Sequence, residues 1–298
     1  MPLPAERPSR PAGARLRLPF ARVYGVDFSG ARLAGRNTWV AVLEPLAGDV
    51  PLRLARLASL EALCGSAERG PALRHLLGMV LRSRRALWAL DLPFGLPPEL
   101  LGPGAGWAQA LEFIAGWEGG AEGLGRELCR RSLERVGRMH LRRRTDQEEQ
   151  APFDPYHYRV VHQLFHGVRE VVLPLSLHRT TAVLPFQHAK LAGAHRVVVE
   201  ACPASTLRRL GLPRQGYKQT AGREEDPARR AVRGEILEGL APHVSVGERH
   251  RRKLLDNRGG DALDALLAAV GAARAWRETD RRAVAEHPRY ALEGRLYV

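Results

Sequence analysis

Three short apolar runs along the chain each end on a carboxylate: Val23-Tyr24-Gly25-Val26-Asp27, Leu87-Trp88-Ala89-Leu90-Asp91 and Val197-Val198-Val199-Glu200. Runs of this length, rich in β-branched and aromatic residues, predict buried strands at 22–28, 86–91 and 195–200. Residues 37–44 (NTWVAVLE) and 50–57 (VPLRLARL) alternate well enough to pair with the first run, and the short connections predict an antiparallel meander. Leu60, Leu63, Leu73, Leu76, Leu77 and Val80 recur at helical spacing, which predicts a helix over 59–82. From 97 to 194 the texture changes. This stretch holds Trp107, Trp117, most of the histidines and the basic run RRSLERVGRMHLRRR, and it predicts a mostly helical insertion. Pro203 suits the first turn of a helix over ASTLRRLGL. Further helices are predicted at 227–240 and, after Gly259-Gly260, at 261–277. There is no internal repeat.

This order of elements predicts an α/β fold: a mixed five-stranded sheet flanked by helices, with a large helical insertion at about 97–194. Residues 1–20 are rich in Pro, Arg and Ala and read as a disordered tail, which leaves 21–298 as one interrupted domain. In such sheets functional sites lie beyond the carboxyl ends of the parallel strands, where Asp91 and Glu200 would stand. Carboxylates at the ends of buried strands are costly without a partner. Brought side by side they repel, and a divalent cation is the simplest thing that would hold them together. GGDALDALLAA adds Asp261 and Asp264 on one face of the last helix.

Each acid also has a plainer reading. Asp27 in Asp-Phe-Ser-Gly and Asp91 before Leu-Pro suit turns. Glu200 precedes a helix start, where a carboxylate can accept from free amides. Asp261 with an acid three residues on is close to a capping box, but Asp264 sits among small apolar residues, where capping does not explain it.

Composition adds less. With 298 residues and 45% apolar content the chain has room for a sizeable core, and a formal net charge of +14 points to a polyanionic partner such as nucleic acid. Nearly all that charge is Arg, with Lys only at 190, 218 and 253, a bias that coding composition alone also produces. Cys64, Cys129 and Cys202 are odd in number and widely spaced, which argues against a disulfide framework and fits a cytoplasmic protein. The N-terminus has no signal-peptide-like stretch, and no run approaches the ~20 apolar residues that span a bilayer.

Longer strings carry a resemblance. GVDFSGA (25–31), ALDLPFGLP (89–97), RRTDQEEQAPFDPYHYRVVHQLFHGVREVVLPL (143–175), EACPASTLRRLGL (200–212) and GGDALDALLAA (259–269) resemble an uncharacterised bacterial family predicted to be RNase H-like nucleases, over about residues 23 to 276. The resemblance implies a hydrolase in which carboxylates hold one or two Mg²⁺ or Mn²⁺ ions. Asp27 would be the central ligand, Asp91 or Glu200 the second-strand ligand, and Asp261 or Asp264 the last-helix ligand. The paired acids of that helix resemble the Holliday-junction resolvase branch of the superfamily. The expected catalytic set is therefore Asp27, Asp91, Glu200 and Asp264, with Asp261 as a further metal ligand.

Arg142, Arg143 and Arg144 would line a phosphate-binding face, against the plainer reading of a solvated charge run. Lys218 would contact a scissile phosphate or cap a loop. Phe153, Tyr156, Tyr158 and Trp107 are candidates for base stacking, against the commoner role of core aromatics.

Other signals are weak. His162 and His166 lack the Glu that a zinc protease helix requires, GPGAG does not join a strand to a helix, and there is no GxxxxGK[ST] or GxSxG. Actin- and sugar-kinase-like phosphotransferases share the sheet topology, and DFSGA loosely fits their first hairpin. They use two such domains, whereas this chain shows one strand set. A binding module without catalysis is the third reading. Oligomeric state and the choice between DNA and RNA stay open.

Overall fold

β1 (Arg22–Asp27) lies in the middle of a seven-stranded sheet, antiparallel to one neighbour and parallel to the other. The structure, a computed structural model, describes residues 18–46, 52–219 and 224–298. On the antiparallel side follow β2 (Trp39–Glu44) and β3 (Leu52–Ser59), the expected meander, and then the two-residue β7 (Val244–Ser245), parallel to β3. On the other side lie β4 (Ala86–Asp91), β6 (Arg196–Glu200) and β5 (Thr181–Val183), all parallel. The order is β5-β6-β4-β1-β2-β3-β7. The five expected strands are present, and the strand count is corrected to seven. β5 and β7 are three and two residues long, too short to leave a period-two pattern.

Strand alternation divides the core. Val23, Leu87, Ala89, Val197 and Val199 face the helix Asp261–Glu278, with Leu263, Leu266 and Val270 packed on them. Val26, Trp88, Leu90 and Val198 face the other way, onto Leu73, Leu76 and Val80 of the helix Arg69–Arg82. The same second face takes Leu111, Leu124, Leu164 and Val171 from the 97–194 segment, so this mostly helical insertion completes the sheet's cover. The helix predicted over 59–82 is two, Leu60–Cys64 and Arg69–Arg82, because Gly65 ends the first in the left-handed region at φ 74°. Of the predicted disordered tail, residues 1–17 lie outside the described residues. Leu18 and Phe20 are buried, Phe20 edge-on to Trp276 at 4.7 Å, so the core begins ahead of residue 21. No helix among the described residues is long and apolar enough to cross a membrane.

One glycine sets the spacing of sheet and helix. A Cβ built on Gly25 would stand 2.0 Å from the Ala265 carbonyl oxygen and 2.5 Å from the Ala269 nitrogen. Only a residue without a side chain lets the last helix lie this close to the central strand. Gly25→Ala is therefore expected to lower stability by about 3 kcal/mol or more, since backbone rather than a flexible side chain must yield. A urea midpoint equal to wild type would contradict this packing.

Candidate functional site

Asp27 and Asp91 are the last residues of adjacent parallel strands and stand opposite each other in register. Strand spacing holds their backbones about 4.8 Å apart. Both continue the face of Val23, Gly25, Leu87 and Ala89, which is the face covered by the last helix. Asp264, in the first turn of that helix, comes down on them because Gly25 admits the helix backbone. Asp264 is 2% exposed and Asp27 9%, while Asp91 is half-buried. Two groups from one loop hold Asp264: the Tyr217 hydroxyl donates to Oδ1 at 2.8 Å, and the Lys218 ammonium pairs with Oδ2. The loop is pinned from beneath by the fully buried Arg233, which donates to the Tyr217 carbonyl at 2.8 Å and the Leu255 carbonyl at 2.9 Å.

Fully ionised, the acids of this cluster would outnumber the cation paired with them. Burial, together with the negative charges of Asp264 and Asp261, holds the Asp27 carboxyl well above its ordinary pKa, and Lys218 offsets only part of this. Burial and Asp264 push Asp91 up to about 8, again against Lys218, and the nearby Glu200 charge adds to the rise. Asp261 is pushed to about 6, mainly by burial, with Asp264 adding to the effect and Lys218 opposing it. Partial burial pulls the Lys218 pKa down, but Asp264, Tyr217 and Asp27 outweigh it and keep the ammonium charged. An all-carboxylate donor set is the kind a hard divalent cation takes. As the side chains stand, however, no three His, Cys, Asp or Glu among the described residues close tightly enough to grip an ion. The positive charge within the cluster is that of Lys218.

Asp261 is not the helix cap. Gly260 occupies that position in the left-handed region, and the Ala262 amide donates to the Asn257 side chain at 3.0 Å. The capping-box reading of the Asp261–Asp264 pair therefore does not hold. Asp261 faces an adjoining compartment that also meets Asp27 and Lys218.

Glu200 lines the same cavity as Asp27, Asp91 and Asp264 but reaches it differently. It pairs in register with Leu90, not Asp91, so alternation turns it to the opposite sheet face. There Arg143 donates to both of its oxygens at 2.9 and 2.5 Å, and the Phe94 amide adds a third bond at 3.0 Å. Burial raises the Glu200 pKa and Arg143 works against it. Arg143 is itself 2% exposed, its guanidinium shared between Glu200 and Asp146. Expected on a phosphate-binding surface, Arg143 is an internal counter-ion. Arg144 pairs with Glu148 in solvent, and Arg142 donates to the Pro152 carbonyl at the cleft rim.

A family model described as "Protein of unknown function (DUF429)" matches residues 25–289. The chain belongs to this family. No curated protein and no solved structure matches it. The matched span contains all five acids, Lys218 and the whole insertion.

In this DUF429 chain the acids open into a cavity of about 260 Å³ walled by Pro152, Phe153, Arg159 and Gln163 of the insertion. A second compartment of about 630 Å³ adjoins it, lined by Arg32, Arg69, His162 and Asp261. Asp27, Arg159, Gln163 and Lys218 border both. The insertion is latched to the end of β1 by Gln163, which donates to the Phe28 carbonyl at 2.7 Å, and by contact of Gly30 with the His162 carbonyl. Another hollow, beside Pro98 and Arg135, lies apart from the acids and carries the Glu99–Arg289 ion pair. Tyr217, Arg159, Gln163 and Arg233 belong to the site without having been singled out for these roles. Only Tyr217, next to Lys218, left a hint in the sequence.

Two outcomes follow. Arg143→Met leaves Glu200 and Asp146 buried without their cation, and a stability loss of about 3–5 kcal/mol is expected by urea unfolding. The second concerns pH, with no divalent cation added. Folded Asp91 keeps its proton up to about pH 8, whereas an unfolded Asp loses it near pH ~3.9, so the folded state binds the extra proton between those values. This group's contribution to stability therefore falls as pH rises from about 4 to 8. Asp91→Asn carries no such proton, and its stability relative to wild type should climb across that window. Parallel pH profiles for the two proteins would refute the assignment.

Proposed function

We propose that this DUF429 protein is an RNase H-like nuclease that uses Mg²⁺ or Mn²⁺ to hydrolyse phosphodiester bonds in DNA or RNA. The observation that carries this reading is the meeting of Asp27, Asp91 and Asp264 at the carboxyl end of the central parallel strands, with fewer positive charges than the cluster needs. The sheet supports it too. β3-β2-β1-β4-β6 follows the expected sequence of an antiparallel meander and then parallel strands, with β5 and β7 as edge additions. Asp27, Asp91 and Asp264 would hold the ion, with Asp261 at its margin. Glu200, bound to Arg143, is left out of the ligand set.

When bound, the divalent ion supplies Lewis-acid polarisation of the phosphoryl group. The chain's own part is positioning. Tyr217 fixes the rotamer of Asp264. Arg32 and Arg159 neutralise backbone phosphates without reading sequence. Pro152, Phe153, Arg159 and Gln163 of the insertion form one wall of the cavity over the acids. The described residues form one sheet, whereas the phosphotransferase reading calls for two such domains. Binding without cleavage is favoured by one observation, the Lys218 ammonium seated against Asp264 where a cation would compete with it.

One experiment separates the readings. On a panel of single-stranded, duplex, hybrid and junction substrates with Mn²⁺, wild type should cleave at least one. Asp27→Asn should lose roughly 100-fold or more of that rate with an unchanged circular dichroism spectrum. Equal rates for both proteins would sink the nuclease assignment, and binding with no cleavage by wild type would favour the non-catalytic module.

A further inference from the structure

The aromatic side chains of the insertion fall into two groups. Trp107 is buried, stacked on Phe186 at 4.0 Å, with its indole N–H donating to the Phe94 carbonyl at 2.7 Å. Tyr156 is buried as well, its hydroxyl accepting from the Leu141 amide at 2.6 Å and donating to the Met139 carbonyl at 3.2 Å. These two are scaffold, which settles the role of two of the four candidate stacking residues.

Phe153, His157 and Tyr158 behave differently. The Phe153 and His157 rings stack at 4.4 Å and 20°, and His157 continues to Tyr158 at 4.4 Å and 35°. The Arg159 guanidinium lies 5.6 Å from the Phe153 ring centre and 5.7 Å from that of Tyr158, and its Nε donates to the Tyr158 hydroxyl at 3.1 Å. The column stands on a rigid base. Buried Asp154 accepts from the Tyr156 amide at 3.2 Å and pairs with His140 at 2.8 Å, and its carbonyl accepts from the His157 amide. Yet the column's outer member is open, with Tyr158 70% exposed. One exposed aromatic is ordinary, but three ordered rings with a guanidinium, anchored by a buried carboxylate, are more than surface scatter. Their location adds to this. Phe153 and Arg159 form the wall of the cavity over Asp27, Asp91 and Asp264, and Arg159 continues into the compartment of Arg32 and Arg69. Arg69 is partly committed, to the Gly30 carbonyl at 3.0 Å and to Glu170 at 3.9 Å, whereas Arg32 is exposed.

We infer that the Phe153–His157–Tyr158 column with Arg159 is a nucleobase-stacking platform, and that the polymer it takes is single-stranded nucleic acid, with bases on the column and phosphates along Arg159 and Arg32. A base within a duplex has both faces covered by its neighbours, so a flat aromatic platform beside the acids selects an unpaired strand. This deepens the nuclease reading by naming its substrate class. Binding itself requires neither a metal nor turnover.

The test is fluorescence anisotropy on the full chain in EDTA, with a labelled oligo(dT) of about 12 nucleotides, an abasic strand of equal length and charge, and a matched duplex. Wild type should bind oligo(dT) about 10-fold or more tighter than the abasic strand, and tighter than the duplex. Tyr158→Ala should cut the oligo(dT)-to-abasic preference by about 5-fold or more, while Tyr158→Trp should keep it. Equal affinity for the abasic strand, preference for duplex, no binding at all, or a preference untouched by Tyr158→Ala would each overturn the platform. Base-dependent binding combined with no cleavage across the substrate panel would leave the platform standing and fell the nuclease reading alone.

Discussion

Carboxylates crowded at the end of a sheet with too little positive charge among them are the constraint on which this structure turns. Fully ionised, Asp27, Asp91 and Asp264 would repel one another. They are kept together by elements that cannot yield. In-register parallel pairing fixes Asp27 beside Asp91, and the seat of the last helix on Gly25 fixes Asp264 above them. With no cation bound, protons held on Asp27 and Asp91 relieve the repulsion, and packing on that face keeps these desolvated carboxyls together. Tyr217 and Lys218 soften the repulsion, and the buried Arg233 under their loop keeps both groups in reach of Asp264.

The same chain shows how an acid in a similar sequence setting takes a different role. Glu200 ends a buried strand just as Asp27 and Asp91 do, and the three look alike in the sequence. They differ by one position of register. Glu200 falls opposite Leu90, its side chain turns to the insertion's face, and Arg143 meets it there. Strand endings were legible because apolar runs mark them. Which face the terminal residue occupies depends on pairing register, which a single sequence does not carry. The last helix was easier to read, since Asp264 sits in a continuous run of Ala and Leu, and the helix is buried on every side from Ala262 to Ala273. β5, β7, the pinning role of Arg233 and the latch of Gln163 all depend on contacts between distant segments, and nothing local announces them.

The basic composition also reads differently once the fold is known. Arg143, Arg196 and Arg233 are buried, bonded to carboxylates, hydroxyls or backbone carbonyls. Glu149, buried in turn, is gripped by Arg208, Arg209 and Arg295. Guanidinium groups suit this work because they present several donors in a plane and stay charged when partly desolvated. These arginines are thus internal framework, but the buried carboxylates outnumber the buried guanidinium groups, so the net charge of +14 remains on the surface that a polyanion would meet. The arginines with a claim on such a partner are those at the cleft, Arg32 and Arg159.

The acid pocket draws its parts from opposite ends of the polypeptide: β1 and β4 supply Asp27 and Asp91 early, while Asp264 and its Lys218 partner come late. During synthesis the first strands leave the ribosome long before the helix that must settle on Gly25 has been made. The growing chain therefore carries two of the acids without the third. A pocket that needs all three is completed only once the last helix has been made and seated on Gly25.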